Sequence, residues 1–129
     1  GRVKLERKQY DEAERYYREA LALAENVDDK DGQASYMGSL GYLAFKREHW
    51  AEARKWSEKA LMLATEIVRQ DLIADIQHNL ARVHEAEGRP DLALPLAQEA
   101  LAIYERLQVK DLVEARELVE RLMRSYPHP

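Results

Sequence analysis

A chain of 129 residues with a formal charge of −4 and 46% hydrophobic residues has the makeup of one soluble globular unit, neither a disordered tail nor a membrane protein. Its charges interleave in sign, leaving no basic stripe for a phosphate backbone, and the absence of cysteine excludes a disulfide framework and thiolate metal sites. No apolar targeting core opens the chain and no run of about 18 apolar residues occurs, so the expectation is a cytoplasmic protein with no membrane and no nucleic acid among its partners.

Self-similarity organises the rest. YDEAERYYREALALA (10–24), WAEARKWSEKALMLA (50–64) and PDLALPLAQEALAIY (90–104) share one outline. A spacing of 40 relates Ala13, Ala53 and Ala93, then Ala20, Ala60 and Ala100, then Leu21, Leu61 and Leu101, then Asp31, Asp71 and Asp111. A fixed period of this size signals stacked structural units.

The stretch from Gly1 to Ala24 aligns with Gly41 to Ala64, partway through a first helix, so the first unit, 1–30, reads as a truncated repeat in an excised fragment. Its second helix is predicted from Tyr10 to about Asn26. With its companion cut short, that helix has an apolar face open to self-association.

In the second unit, 31–70, Met37, Leu40, Gly41, Ala44 and Phe45 mark one helical stripe, and Ala53, Trp56, Ala60, Leu63 and Ile67 mark another. Trp50 and Trp56 share columns with Tyr10 and Tyr16, which suits packing. Gly41 and Ala81, with Ala53 and Ala93, are small enough to let two helix backbones approach closely.

The third unit, 71–110, offers a competing reading, because no Gly or Pro lies between Leu61 and Glu87. A single helix of about 37 residues would far exceed the usual length. The recurring Asp31, Asp71 and Asp111 supply N-cap acceptors for new helices instead, and Asp111 with Glu114 has the form of a capping box. Pro90 suits the first helical position, whereas Pro95 predicts a bend or a late start between Leu92 and Leu96.

The last segment, 111–126, sets Leu112, Ala115, Leu118, Leu122 and Met123 against Glu117, Glu120, Arg121 and Arg124. Arg121 occupies the column of Gly41 and Ala81, where its bulk disfavours a following helix. The segment therefore reads as a capping helix ended by YPHP.

Catalytic constellations are sparse. His78 and His84, considered with Asp75 as a metal set, are separated by about 600° around a helix and share no face. No Gly-rich phosphate loop or nucleophile set can be assigned, so no catalytic, cofactor or metal residue is expected.

LGYLAFKREHWAEARKWSEKAL (40–61) and LARVHEAEGRPDLALPLAQEAL (80–101) resemble tetratricopeptide repeats. The resemblance implies an all-α fold: a right-handed α-α superhelix of antiparallel helix pairs, here with a C-terminal capping helix. Met37 and Gln77 replace the family's first-helix aromatic, and Ala44 and His84 its mid-helix tyrosine. The long period resembles the version found in spindle-orienting adaptors and in sensor arrays of bacterial signalling ATPases and transcriptional activators.

By the same resemblance, the concave groove falls on Arg2 and Leu5, then Ser35, Gly38, Tyr42 and Phe45, then His78, Asn79, Arg82 and Glu85, with Phe45 partly in the core. The family's Lys and Asn clamp for terminal carboxylates is absent, since its columns hold Gly38 with Tyr42 and His78 with Arg82. The implied role is a non-catalytic module that binds a peptide or helix of a protein partner, as a scaffold or sensor part of a larger intracellular signalling or regulatory protein. A helical-repeat RNA binder and a metal-dependent enzyme fragment are the alternatives.

Overall fold

The computed structural model describes residues 2–125, with side chains from Lys4 onward. Six helices follow one another with no strand among the described residues: α1 (Arg2–Asn26), α2 (Lys30–Lys46), α3 (Trp50–Glu66), α4 (Gln70–Ala86), α5 (Pro90–Arg106) and α6 (Val113–Ser125). The four central helices are each 17 residues long and are joined by three-residue turns.

One turn geometry repeats five times. Asp28, Glu48, Val68, Gly88 and Gln108 all adopt positive φ, from 55° to 76°. Around Val68, the Val68 N–H donates to the Thr65 carbonyl at 3.1 Å and the Arg69 N–H to the Ala64 carbonyl at 3.0 Å. The other four turns repeat this pair of bonds, which is the Schellman closure of a helix C-terminus. The chain thus breaks every 20 residues, and the single long helix is ruled out.

Only the fourth of these turns uses glycine. Val68 is the most strained substitute, because a β-branched side chain at φ 57° crowds its own backbone. It is 68% exposed, so little packing offsets the strain. Val68→Gly is expected to raise stability by about 1 kcal/mol, read as a higher urea midpoint at unchanged m-value.

The same turns correct the reading of the recurring aspartates. Asp29, His49, Arg69 and Arg89, each the last residue of a turn, serve as the N-cap positions. Only Asp29 caps through its side chain, accepting from the Gly32 N–H at 3.0 Å. Asp31 and Asp71 therefore lie inside the first turns, where the helix dipole favours a carboxylate. Arg69 joins them, donating to Asp31 at 2.7 Å and to Asp71 at 2.8 and 3.0 Å, and this pairing pushes the Asp71 carboxyl down to about 2. Asp111 accepts from the Val113 N–H at 3.2 Å, two residues on, and no capping-box bond from Glu114 accompanies it.

Two further expectations change. α1 runs continuously through Tyr10 instead of starting there, since the stretch from Lys4 to Tyr10 has no Gly or Pro and consists largely of helix-favouring residues. α5 starts at Pro90, not late, and stays helical through Pro95. The carbonyl that Pro95 leaves without a donor is that of Asp91, and both residues are exposed, so water can reach it. The terminal YPHP lies outside the described residues.

Packing follows the small-residue columns. α2 packs on α3 and α4 on α5 as hairpins, α1 covers α2, α3 bridges to α4, and α6 closes the stack against α5 and α4. Ala53, Ala60, Ala93 and Ala100 are completely buried, which only backbones in close approach allow. A Cβ placed on Gly41 would lie 2.5 Å from Ser57 Oγ and 3.2 Å from Ser57 N. Ile73, Ile76 and Ile103 fill the centre, while Leu118 and Leu122 of α6 cover Ala81, Ala93 and Ala97 at the C-terminal end.

Candidate functional site

A concavity of about 490 Å³ lies along α2 between α1 and α4. Its floor consists of small residues, Ser35, Gly38 and Ser39, on one face of α2. The valley is open because Gly38 has no side chain: a Cβ there would come no nearer than 3.5 Å to Ile76 Cγ1. Ser39 turns its hydroxyl back to the Ser35 carbonyl at 3.0 Å, which removes a polar group from the floor.

Aromatic and aliphatic side chains form the walls. Tyr10 and Tyr17 come from α1, Tyr42 from α2, and Leu72 and Ile76 from α4. Tyr42 is 49% exposed, enough to offer a ring face to a ligand. Lys46 lies 5.9 Å from that ring and supplies a cation, while Asp75 supplies an anion. The Tyr104 hydroxyl donates to Asp75 at 2.6 Å; burial first, and that bond second, push the Tyr104 pKa upward.

Asn79 is the polar feature at the foot of the groove. It is only 8% exposed, its Nδ2 donates weakly to Ser57 Oγ at 3.5 Å, and its Oδ1 has no partner. Flipping the amide would exchange the two atoms and still leave one unpaired. Such a group is costly, by about 1–3 kcal/mol, until something pairs with it.

A second, smaller recess of about 200 Å³ separates α4 from α6 and is lined by His78, Arg82, Glu114, Glu117, Leu118 and Arg121. Burial, with the Arg82 charge second, lowers the His78 pKa from its usual 6.5, and the ring lies edge-on to Tyr104 at 6.5 Å. His84, in the column of the family's tyrosine, is mostly buried 3.8 Å from Glu87, and its pKa too is lowered by burial.

The eight residues expected to form one groove therefore divide. Ser35, Gly38, Tyr42 and Asn79 meet in the main concavity, whereas His78 and Arg82 border the smaller recess. Phe45 lies between, packed at 5.5 Å on Trp50 and covered by the Arg82 guanidinium at 4.4 Å, so it is partly core. Glu85 is occupied by two bonds from Arg121, at 2.6 and 2.9 Å. Leu5 is exposed but outside the groove lining, and the side chain of Arg2 lies outside the described residues.

Tyr10, Tyr17, Lys46 and Asp75 line the groove without having been read from the sequence. Asp75 is in the column of Ser35, a signal that was present. Among the described residues, no group of three or more His, Asp or Glu could hold a metal ion, and no helix is long and apolar enough to cross a membrane.

Helical hairpins stacked on small-residue columns, with a valley along their first helices, define a helical-repeat protein. Residues 1–66 and 39–106 each match the tetratricopeptide repeat family model, and the chain belongs to that family. Such repeats generally mediate protein–protein interaction and are typically non-catalytic. The fold is similar to the crystal structure of BtubC (BKLC) from P. vanneervenii, at 23% identity and a TM-score of 0.80. The alignment covers 96% of this chain and 50% of that one, so the chain spans half the length of that protein. Comparison with curated proteins finds no match.

Proposed function

We propose that the chain is a non-catalytic module that holds a peptide or short helix of a protein partner in the groove between α1, α2 and α4, as a scaffold or sensor part of a larger cytoplasmic signalling or regulatory protein. The observation that carries this reading is the valley itself, floored by the small residues Ser35, Gly38 and Ser39 and walled by Tyr10, Tyr17 and the half-exposed Tyr42. A polypeptide can bury apolar side chains against Tyr10, Tyr17 and Tyr42 in such a valley.

The rims support the same class of ligand. Asp75 is in the column of Ser35, and Lys46 is eleven residues further along α2, about 16 Å at the helical rise. That span matches three turns of a bound helix or about five extended residues, with a basic side chain towards Asp75 and an acidic one towards Lys46. A groove whose two charges oppose each other does not suit a phosphate backbone, which needs clustered cations.

Peptides selected on the protein from a random displayed library provide the test. Gly38→Leu fills the floor, its Cβ at ordinary contact distance from Ile76, and Tyr42→Ala removes a wall; each is expected to weaken the selected peptides by about tenfold or more, as loss of a central anchor does. Arg82→Ala, outside the groove, should leave affinity within about twofold. Peptides that bind Gly38→Leu as tightly as the unaltered protein would overturn the groove assignment.

A further inference from the structure

The third unit departs from the second at three columns that meet in space. Where α2 has Ser35 and Gly38, α4 has Asp75 and His78, and where α3 has the fully buried Ala64, α5 has Tyr104. The Tyr104 hydroxyl donates to Asp75 Oδ1 at 2.6 Å, and the His78 ring meets the Tyr104 ring edge-on at 6.5 Å. The second unit packs the same columns with small residues alone, so stacking does not require this trio.

Its position gives it a use. Asp75 lines the larger concavity and His78 the smaller one, so the trio stands on the ridge of α4 between them, with α2 on one side and α6 on the other. Asp75 is exposed, and the hydroxyl that orients its carboxylate occupies Oδ1 only; Oδ2 makes no hydrogen bond or ion pair among the described residues. One turn along, burial first and the Arg82 charge second keep the His78 ring neutral to lower pH than usual, so that a ring nitrogen can accept a hydrogen bond. The cations nearby are already engaged. Arg82 lies on the Phe45 ring at 4.4 Å, and Arg121 donates twice to Glu85, while Glu114 adds a negative charge to the recess beside His78.

We infer that the Asp75–His78–Tyr104 trio receives a lysine or arginine side chain of the partner segment, with Asp75 and His78 accepting its N–H donors and Tyr104 acting as the positioning residue that fixes the carboxylate. The inference rests on the reading of the groove as a peptide site and names the side chain that sets its specificity. A basic side chain matches an anionic oxygen of fixed direction with a neutral acceptor one turn away. An acidic side chain or a phosphate would meet repulsion there.

Affinities of the library-selected peptides, and of the same peptides with each Lys or Arg replaced by Gln, read the site. One basic residue should contribute about three- to tenfold on the unaltered protein and no more than about twofold on Asp75→Asn. Tyr104→Phe keeps the ring and removes only the hydroxyl. It should weaken the basic peptides about two- to threefold at unchanged helicity and leave their Gln versions unaffected, a difference that a purely structural role would not produce. Between about pH 7.5 and about pH 5.5 affinity should fall, because a proton on His78 adds a positive charge beside the docked cation, and His78→Gln should flatten this dependence. The groups facing His78 remain in that variant: Asp75 and Arg82 on α4, Tyr104 on α5, and Glu114 and Arg121 on α6. Acetyl-arginine methylamide serves as a probe that needs no selected peptide, and at millimolar concentration it should shift the His78 ring resonances of the unaltered protein but not those of Asp75→Asn. Peptides that are lost on Gly38→Leu yet indifferent to Asp75→Asn overturn the inference and leave the groove standing. Peptides that need Asp75 yet ignore Gly38→Leu support it and overturn the groove instead. A probe that leaves the His78 resonances unmoved also overturns it.

Discussion

Gly41→Ala is expected to lower the unfolding free energy by about 1–3 kcal/mol, while Gly38→Ala, one turn earlier on the same helix, should raise it by about 0.5–1 kcal/mol. Both replacements gain the same helix propensity, so the difference measures what the added methyl meets. At Gly38 it reaches Ile76 at ordinary contact distance, 3.5 Å. At Gly41 it meets Ser57 Oγ at 2.5 Å, and behind that the Ser57 nitrogen at 3.2 Å and the Ala53 carbonyl at 3.4 Å. The hydroxyl can rotate away, but the backbone atoms move only if α3 moves. Relieving the hydroxyl with Ser57→Ala should recover part of the loss, and the remainder reports the backbone contact. Urea denaturation of the two single variants and the double variant checks this; a stabilising Gly41→Ala would mean that the α2–α3 approach is looser than drawn.

That contrast also explains what the sequence could reveal. Helix pairing was legible because close approach demands small residues at fixed columns, and Gly41, Ala53, Ala93 and Ala100 keep them. The turns were poorly legible because the Schellman bonds are made by backbone groups, which let Asp28, Glu48, Val68 and Gln108 take a conformation usually signalled by glycine. Aspartates just inside the helices then looked like caps, although the capping positions belong to the last residues of the turns.

The site was legible in part for a similar reason. Ser35, Gly38, Tyr42 and Asn79 lie on first helices at columns fixed by the period, and they do line one groove. Tyr10 shares a column with Trp50, which packs on Phe45, so it reads as a packing residue, and Tyr17 shares one with Ser57, which packs on Gly41 and gives no hint of a wall. On α1 no equivalent side chains cover them, and the same columns become wall. Arg82, assigned to the groove by its column, instead borders the smaller recess and reaches back to Phe45, a contact that column arithmetic cannot foresee.

Leu122→Ala should be the most damaging of these single substitutions, at about 2–5 kcal/mol, with Leu118→Ala close behind. Both side chains are almost completely excluded from water, at 0% and 1% exposure, and both cover the bare alanines 81, 93 and 97. Those alanines cannot expand to fill a cavity, so little relaxation offsets the loss. Arg121 offers a direct contrast on the same helix. Its two bonds to Glu85 are short, but its side chain is 48% exposed, and pairs in that setting contribute less than about 1 kcal/mol. Arg121→Ala should therefore cost far less than Leu122→Ala, although it removes two hydrogen bonds. In a stacked array the damage stays near the affected end, because each unit depends mainly on its neighbours. Hydrogen exchange in Leu122→Ala should accelerate through α6 and the C-terminal half of α4, where Ala81 lies, while α2 and α3 keep their protection. Uniform acceleration across all six helices would instead mean that the stack unfolds as one cooperative unit, with the cap holding up the whole of it.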